Sequence, residues 1–215
     1  MMKSQQLILC SLLFCITTAR GQMAAGDIAG EYYLHGVMEV ASGFALREDH
    51  SFSFFFSYGA MDRSGTGTWK VEENNIILNS ANWPGSDFKL EKQEHRRQKE
   101  IVVQVKDKNK MLLGYIGGIL SGGGQVQELQ SDNDGVITFA AQTTDTISLY
   151  HQFYSDALSV FPVKDQKANY FEFTFLPHLG TVFFRNFILT PDKQELTGGN
   201  PMLKAGQVYH YVKME

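Results

Sequence analysis

Six histidines are the side chains best suited to hold a metal or move a proton in this chain: His35, His50, His95, His151, His178 and His210. No two stand at an H-x-H or H-x-x-x-H spacing, so no strand or helical turn presents a ready pair of ligands. No metal site and no cofactor are expected. The two cysteines, Cys10 and Cys15, lie in the first 21 residues, which removes thiolate zinc sites and cysteine nucleophiles from the rest. Serines are numerous, but no G-x-S-x-G elbow exposes one. The carboxylates Glu31, Glu39, Asp62 and Glu72 have no spacing that selects an acid–base pair. No catalytic residue is assigned.

Two motifs suggest ligands and read better as turns. Gly117, Gly118, Gly122, Gly123 and Gly124 flank Ile119–Ser121, yet no Lys-Ser/Thr or helix start follows as a phosphate cradle requires. A flexible hairpin tip is expected there. Asp132 and Asp134 precede Gly135, but an EF-hand would need further ligands, a glutamate at its twelfth position and flanking helices. Asp-Gly between strands is itself a hairpin signal. The stretch His151-Gln-Phe-Tyr154 follows a strand, and the Tyr154 hydroxyl is expected to lock a loop.

The candidate ligand-binding residues are His35, Glu39, Phe54, Phe56, Tyr58 and His210. His35 and His210 fall on strands at opposite ends of the chain and meet only if a sheet closes. Glu39 is near His35 in sequence. Phe54, Phe56 and Tyr58 share one face of residues 51–58 with Phe52, because strand side chains alternate. That face either fills a core or lines an apolar cavity. Phe55, alone between serines on the opposite face, is the odd residue.

These residues must be positioned by strands. Residues 51–79 read as an antiparallel meander: the aromatic strand, a break over residues 59–65, a strand with Trp69 and Val71 on one face, a Glu73-Asn74-Asn75 turn, and residues 76–79. Trp69 is expected in the core. Strand-length runs separated by Gly, Asn, Asp and Pro continue along the chain, the all-β signature. Residues 88–90, 101–105, 111–116, 126–129, 136–139, 146–150, 158–161, 170–175, 182–189 and 208–213 are read as strands. Residues 92–100 form the most charged run and are read as a linker.

Residues 1–21 resemble a secretory signal peptide: Lys3 charges its start, residues 7–16 are apolar, and Ala19-Arg20-Gly21 offers small residues for cleavage. The expected destination is periplasmic or extracellular. Losing Lys3 and Arg20 takes the formal net charge from −4 to −6, and the one basic run is His95-Arg96-Arg97. Nucleic acid is therefore not an expected partner. No later stretch is long and apolar enough to form a transmembrane segment.

Two resemblances follow. Gly30-x-Tyr32, the run Gly65-Thr-Gly-Thr-Trp69-Lys-Val71 and the strand around Ile76 resemble bacterial lipocalin-like β-barrel proteins. Residues 102–107, 109–113 and 130–139 resemble carboxypeptidase-regulatory-like, or transthyretin-like, Ig-type sandwiches. The whole chain resembles exported bacterial proteins that join two such parts. The resemblances imply an all-β chain in which a lipocalin-like antiparallel barrel or meander carries an inserted Ig-like sandwich. The expected parts are a signal peptide over 1–21, a lipocalin-like domain over 22–98 plus 177–215, and the sandwich over 99–176. The function read from this is an exported, non-enzymatic binding or scaffold module, its partner a protein or a small apolar ligand. The alternatives are a lipocalin-like carrier and a hydrolase with a site built across strands.

Overall fold

The computed structural model describes residues 25–214; the expected signal peptide lies outside them. A four-residue helix, Ala25–Ile28, leads into five strands: β1 (Gly30–His35), β2 (Val40–Leu46), β3 (Ser51–Tyr58), β4 (Met61–Glu72) and β5 (Asn75–Asn79). Eight more follow: β6 (Phe88–Glu94), β7 (Ile101–Lys106), β8 (Ile116–Gly122), β9 (Gln125–Gln130), β10 (Val136–Phe139), β11 (Thr146–His151), β12 (Ser159–Pro162) and β13 (Tyr170–Phe175). The last three are β14 (Phe187–Asp192), β15 (Glu195–Gly198) and β16 (Tyr209–Lys213).

The first five strands and the last three close one antiparallel barrel, in the order β1-β16-β15-β14-β5-β4-β3-β2. The strands between them form two four-stranded sheets, β10-β7-β13-β6 and β12-β11-β8-β9. These sheets share one core, with Val103, Phe139 and Phe173 from one meeting Leu120, Ile147 and Leu149 from the other.

Period-two patterning builds the barrel wall. Phe52, Phe54 and Phe56 are buried inward, and Phe54 sits opposite Phe44 across the β2–β3 ladder. Phe55 points outward beside Tyr33, with ring centroids 5.7 Å apart. It crosses over Gly43, where a Cβ would lie 2.9 Å from its ring. That packing answers the oddity of Phe55 without a partner. Trp69 is buried as expected, and its Nε1–H donates to the Arg47 carbonyl at 3.0 Å.

The interior of the barrel is filled from within the chain. Residues 181–186 lie between the crossing and β14; Val182 and Phe184 turn into the barrel core, while Arg185 and Asn186 stay exposed. The Phe184 ring lies 5.1 Å from Phe52, 5.2 Å from Phe54 and 5.2 Å from Phe187. The close approach explains the Gly-Thr-Gly-Thr-Trp run: a Cβ on Gly65 would lie 2.6 Å from the Val182 carbonyl oxygen. Residues 182–189, read as one strand, are thus a plug followed by β14.

Other local expectations are revised. The break at 59–65 shrinks to the Gly59-Ala60 turn, because the inward positions of β4 continue back through Gly65 to Arg63. Of residues 111–116, read as a strand, all but Ile116 lie in a 3-10 helix, Lys110–Tyr115, capped by Asn109, whose side chain accepts from the Met111 amide at 3.1 Å. The glycine-rich stretch is not a loose tip but strand β8, with the turn at Gly123-Gly124. Lys92–Glu94 belong to β6, which pairs with β13 rather than with a barrel strand. The chain crosses between barrel and sheets through residues 80–87 and 176–180. His178 ties the crossings together, its Nε2–H donating to the Ser86 carbonyl at 2.7 Å.

Candidate functional site

Arg63 stands opposite Phe56 in the β3–β4 ladder, on the inward side of the barrel, with its side chain 2% exposed. It reaches the mouth of the barrel and spends every donor it has. Nε–H donates to the Gly180 carbonyl at 2.9 Å. One terminal nitrogen donates to the Phe153 carbonyl at 3.4 Å and to Asp156 Oδ1 at 3.1 Å. The other donates to Asp156 Oδ2 at 2.8 Å and to the Thr181 carbonyl at 3.4 Å. A guanidinium offers five N–H groups in a fixed fork, so none is left for an anionic substrate. Arg63 is a clamp. It joins the barrel wall, the crossing segment and the loop after β11.

That same loop forms one wall of a cleft of about 570 Å3 between the barrel and the two-sheet unit. Tyr58 and Met61 of the β3–β4 turn face Met111 and Tyr115 of the 3-10 helix and Phe153 of the loop. Four of these are large apolar side chains left in solvent: Met111 is 78% exposed, Tyr58 50%, and Tyr115 and Phe153 44% each. Tyr115 and Phe153 pack edge to face, 4.9 Å between centroids. Isolated exposed apolar residues need no explanation, but four gathered on one concave surface do.

The floor holds the imidazole of the site, fully buried His151. Its Nε2–H donates to the Leu112 carbonyl at 3.1 Å, and Nδ1 accepts from the Phe153 amide at 3.3 Å. Burial pushes its pKa down to about 4, and the nearby Arg63 charge adds to the shift. At neutral pH it is an uncharged imidazole with both nitrogens engaged, which leaves no lone pair for a general base. The Tyr154 ring packs tilted against it at 4.8 Å. Tyr154 thus holds to the end of β11 through its ring and not through the hydroxyl expected to lock a loop.

A second constellation beside the clamp combines serine, histidine and carboxylate without the order of a nucleophilic triad. Asp87 Oδ1 accepts from Trp83 Nε1–H at 2.9 Å and lies 3.6 Å from His178 Nε2. Ser159 is fully buried, and its oxygen accepts from the Asp87 amide at 2.8 Å. The hydroxyl is tied to backbone instead of to an imidazole. Glu31, Glu39, Asp62 and Glu72 are all on exposed positions. Among the described residues no group of three or more His, Cys, Asp or Glu side chains is placed to hold a metal.

The sequence candidates separate. His35 and His210 are direct cross-strand partners, brought together by closure of the barrel, but on its outer wall, where both are exposed. His210 Nδ1 lies 3.2 Å from Glu195. Glu39 sits exposed in the β1–β2 turn at φ 63°. The pairings of His35 with His210, Val40 with Tyr58 and Tyr58 with Met61 place these residues toward one end of the barrel, the end that bears the cleft. Of the six, Tyr58 lines it. Phe54 and Phe56 are core. Arg63, Asp156 and His151 were not singled out by sequence for these roles. One signal existed: stepping back by twos from Val71 and Trp69 through two glycines reaches Arg63, an inward arginine that demands a partner.

Comparison of the chain with family models, with curated proteins and with solved structures finds no match in any of the three.

Proposed function

We propose that the chain is an exported, non-enzymatic binding module whose ligand seat is the cleft between the barrel and the two-sheet unit. The observation that carries this is the gathering of Tyr58, Met111, Tyr115 and Phe153, all exposed, around about 570 Å3. The volume is in the range that takes small molecules, and the lining suits a compact apolar or aromatic one. His151, neutral and saturated, supports binding over catalysis. The carrier reading moves with it: the seat is outside the barrel, because Phe184 and its neighbours occupy the barrel's centre. In this reading the barrel is lipocalin-like in form, and the intervening sheets are an Ig-like insertion whose role is to supply the second wall of the cleft.

The test is a fluorescence titration with N-phenyl-1-naphthylamine, a neutral apolar dye. Saturable binding is expected, weakened about tenfold or more by Phe153→Ala or Tyr115→Ala, since a buried aromatic contact is worth about 1.5–3 kcal/mol. Dye binding unchanged by both substitutions refutes the seat.

A further inference from the structure

A smaller hollow, of about 180 Å3, opens where the two crossings meet the loop after β11. Trp83 and Asp87 reach it from the first crossing, Thr181 and Phe183 from the end of the second, and Tyr154 and Asp156 from the loop. Val182 and Phe184 turn into the barrel core, which leaves Phe183 between them to face outward. Tyr154 also borders the cleft, but Trp83, Asp87 and Phe183 do not, so this hollow does not rest on the ligand seat proposed above.

The carboxylate of Asp87 is its polar centre, with the side chain only 5% exposed. The backbone there is fixed on both sides: the Asp87 amide donates to Ser159 Oγ and its carbonyl accepts from the Leu176 amide, each at 2.8 Å. Oδ1 accepts from Trp83 Nε1–H at 2.9 Å. His178 Nε2 is 3.6 Å from Oδ1, but its proton goes to the Ser86 carbonyl at 2.7 Å. Oδ2 accepts no hydrogen bond from any described residue. Among the described residues the one sealed side-chain polar atom without a partner is the Thr144 hydroxyl. Asp87 Oδ2 is therefore not sealed, and the hollow that Asp87 lines supplies its opening.

Two features of the lining point to a cation. A carboxylate withdrawn from water is costly to keep without a countercharge, and no Lys, Arg or His lines the hollow. Asp156 at the rim is already matched, because both its oxygens accept from Arg63. The wall around Asp87 is aromatic, built from Trp83, Tyr154 and Phe183. Ring faces attract a cation through their quadrupole, tryptophan most strongly. A primary ammonium would bring three N–H donors to a wall made mostly of rings, which is short of acceptors. A methylated ammonium needs none and buries its methyls against the rings.

We propose that this hollow is a second binding site, for a small organic cation carrying a methylated ammonium group. The ammonium sits beside Asp87 Oδ2, with its methyls against the rings of Trp83, Tyr154 and Phe183.

The test uses isothermal titration calorimetry on the full chain with choline, with its neutral isostere in which a tert-butyl group replaces trimethylammonium, and with ethanolamine. Choline is expected to bind saturably and the other two at least about tenfold more weakly, since one lacks the charge and the other the methyls. Asp87→Asn keeps an acceptor for Trp83 Nε1–H and removes the charge. Phe183→Leu keeps the apolar bulk and removes the ring. Each should bind choline about tenfold more weakly. Neither residue lines the cleft, so both variants should bind N-phenyl-1-naphthylamine as the parent does, which keeps the two sites distinguishable. Thermal melts check folding, and if Asp87→Asn melts well below the parent, half-buried Phe183→Leu decides. Absence of choline binding, equal binding of the neutral isostere or of ethanolamine, or full choline affinity in the folded variants overturns the proposal.

Discussion

Replacing Asp156 with alanine strips two N–H···O bonds, at 2.8 and 3.1 Å, from a guanidinium that is otherwise sealed. The Arg63 side chain is 2% exposed, so the two freed donors have little water to turn to. Charge-assisted bonds of this kind are worth about 1.5–3 kcal/mol each in mutational series. Asp156, however, is 60% exposed, and water already screens the pair from that side, which reduces the figure. The expected loss is about 1–3 kcal/mol, with Asp156→Asn losing less because one acceptor oxygen survives. Arg63→Ala should cost more, about 3–5 kcal/mol, since it also leaves the Gly180, Phe153 and Thr181 carbonyls without their donor. Urea denaturation followed by fluorescence of the two tryptophans, Trp69 in the barrel and Trp83 in the crossing segment, reads both. The double variant should lose little more than Arg63→Ala alone. Additive losses, or a loss below about 0.5 kcal/mol for Asp156→Ala, would refute the clamp.

Phe184→Ala should cost about 3–5 kcal/mol in the same assay, because it removes the ring against which Phe52, Phe54 and Phe187 pack; a loss below about 1 kcal/mol would mean the barrel is not filled by its plug. His151 makes stability fall on acidification: the unfolded imidazole takes its proton near 6.5 and the folded one only near 4, so between those values the unfolded state holds more protons. The full effect is about 3 kcal/mol, and thermal melts across pH 4–6.5 should show a slope that His151→Gln flattens. Trp69→Ala should cost about 3–5 kcal/mol. For export, N-terminal sequencing of the secreted chain should start near Gly21; a chain retaining residues 1–21 in the cytoplasm contradicts that expectation.

Period-two alternation carried much of the barrel. It located the aromatic face of β3, the burial of Trp69 and the outward Phe55, because one strand's pattern is local and the barrel has one wet side. Where pattern failed, a distant segment had intervened. Val182 and Phe184 alternate as in a strand, yet they are buried by entering the barrel, and nothing local distinguishes the two ways of burying Phe184. Arg63 was hidden because it fell inside the stretch between Gly59 and Gly65 read as a break, while Gly65 serves the close approach of Val182 and Phe184. Met111 and Leu113 looked like strand residues; the Asn109 cap and the 3-10 turn face Met111 to the cleft instead. The cleft itself was not legible, since its walls come from residues about fifty to ninety positions apart and a single sequence does not show which surfaces meet.

The location of the ligand seat can be measured directly with 13C-methyl-labelled methionines. Met111 lines the cleft and Met202 packs against the barrel core, while Met61 touches both. On addition of N-phenyl-1-naphthylamine, intermolecular NOEs should appear at the Met111 methyl and be absent at Met202. NOEs at Met202 without any at Met111 would put the ligand in the barrel and contradict the account.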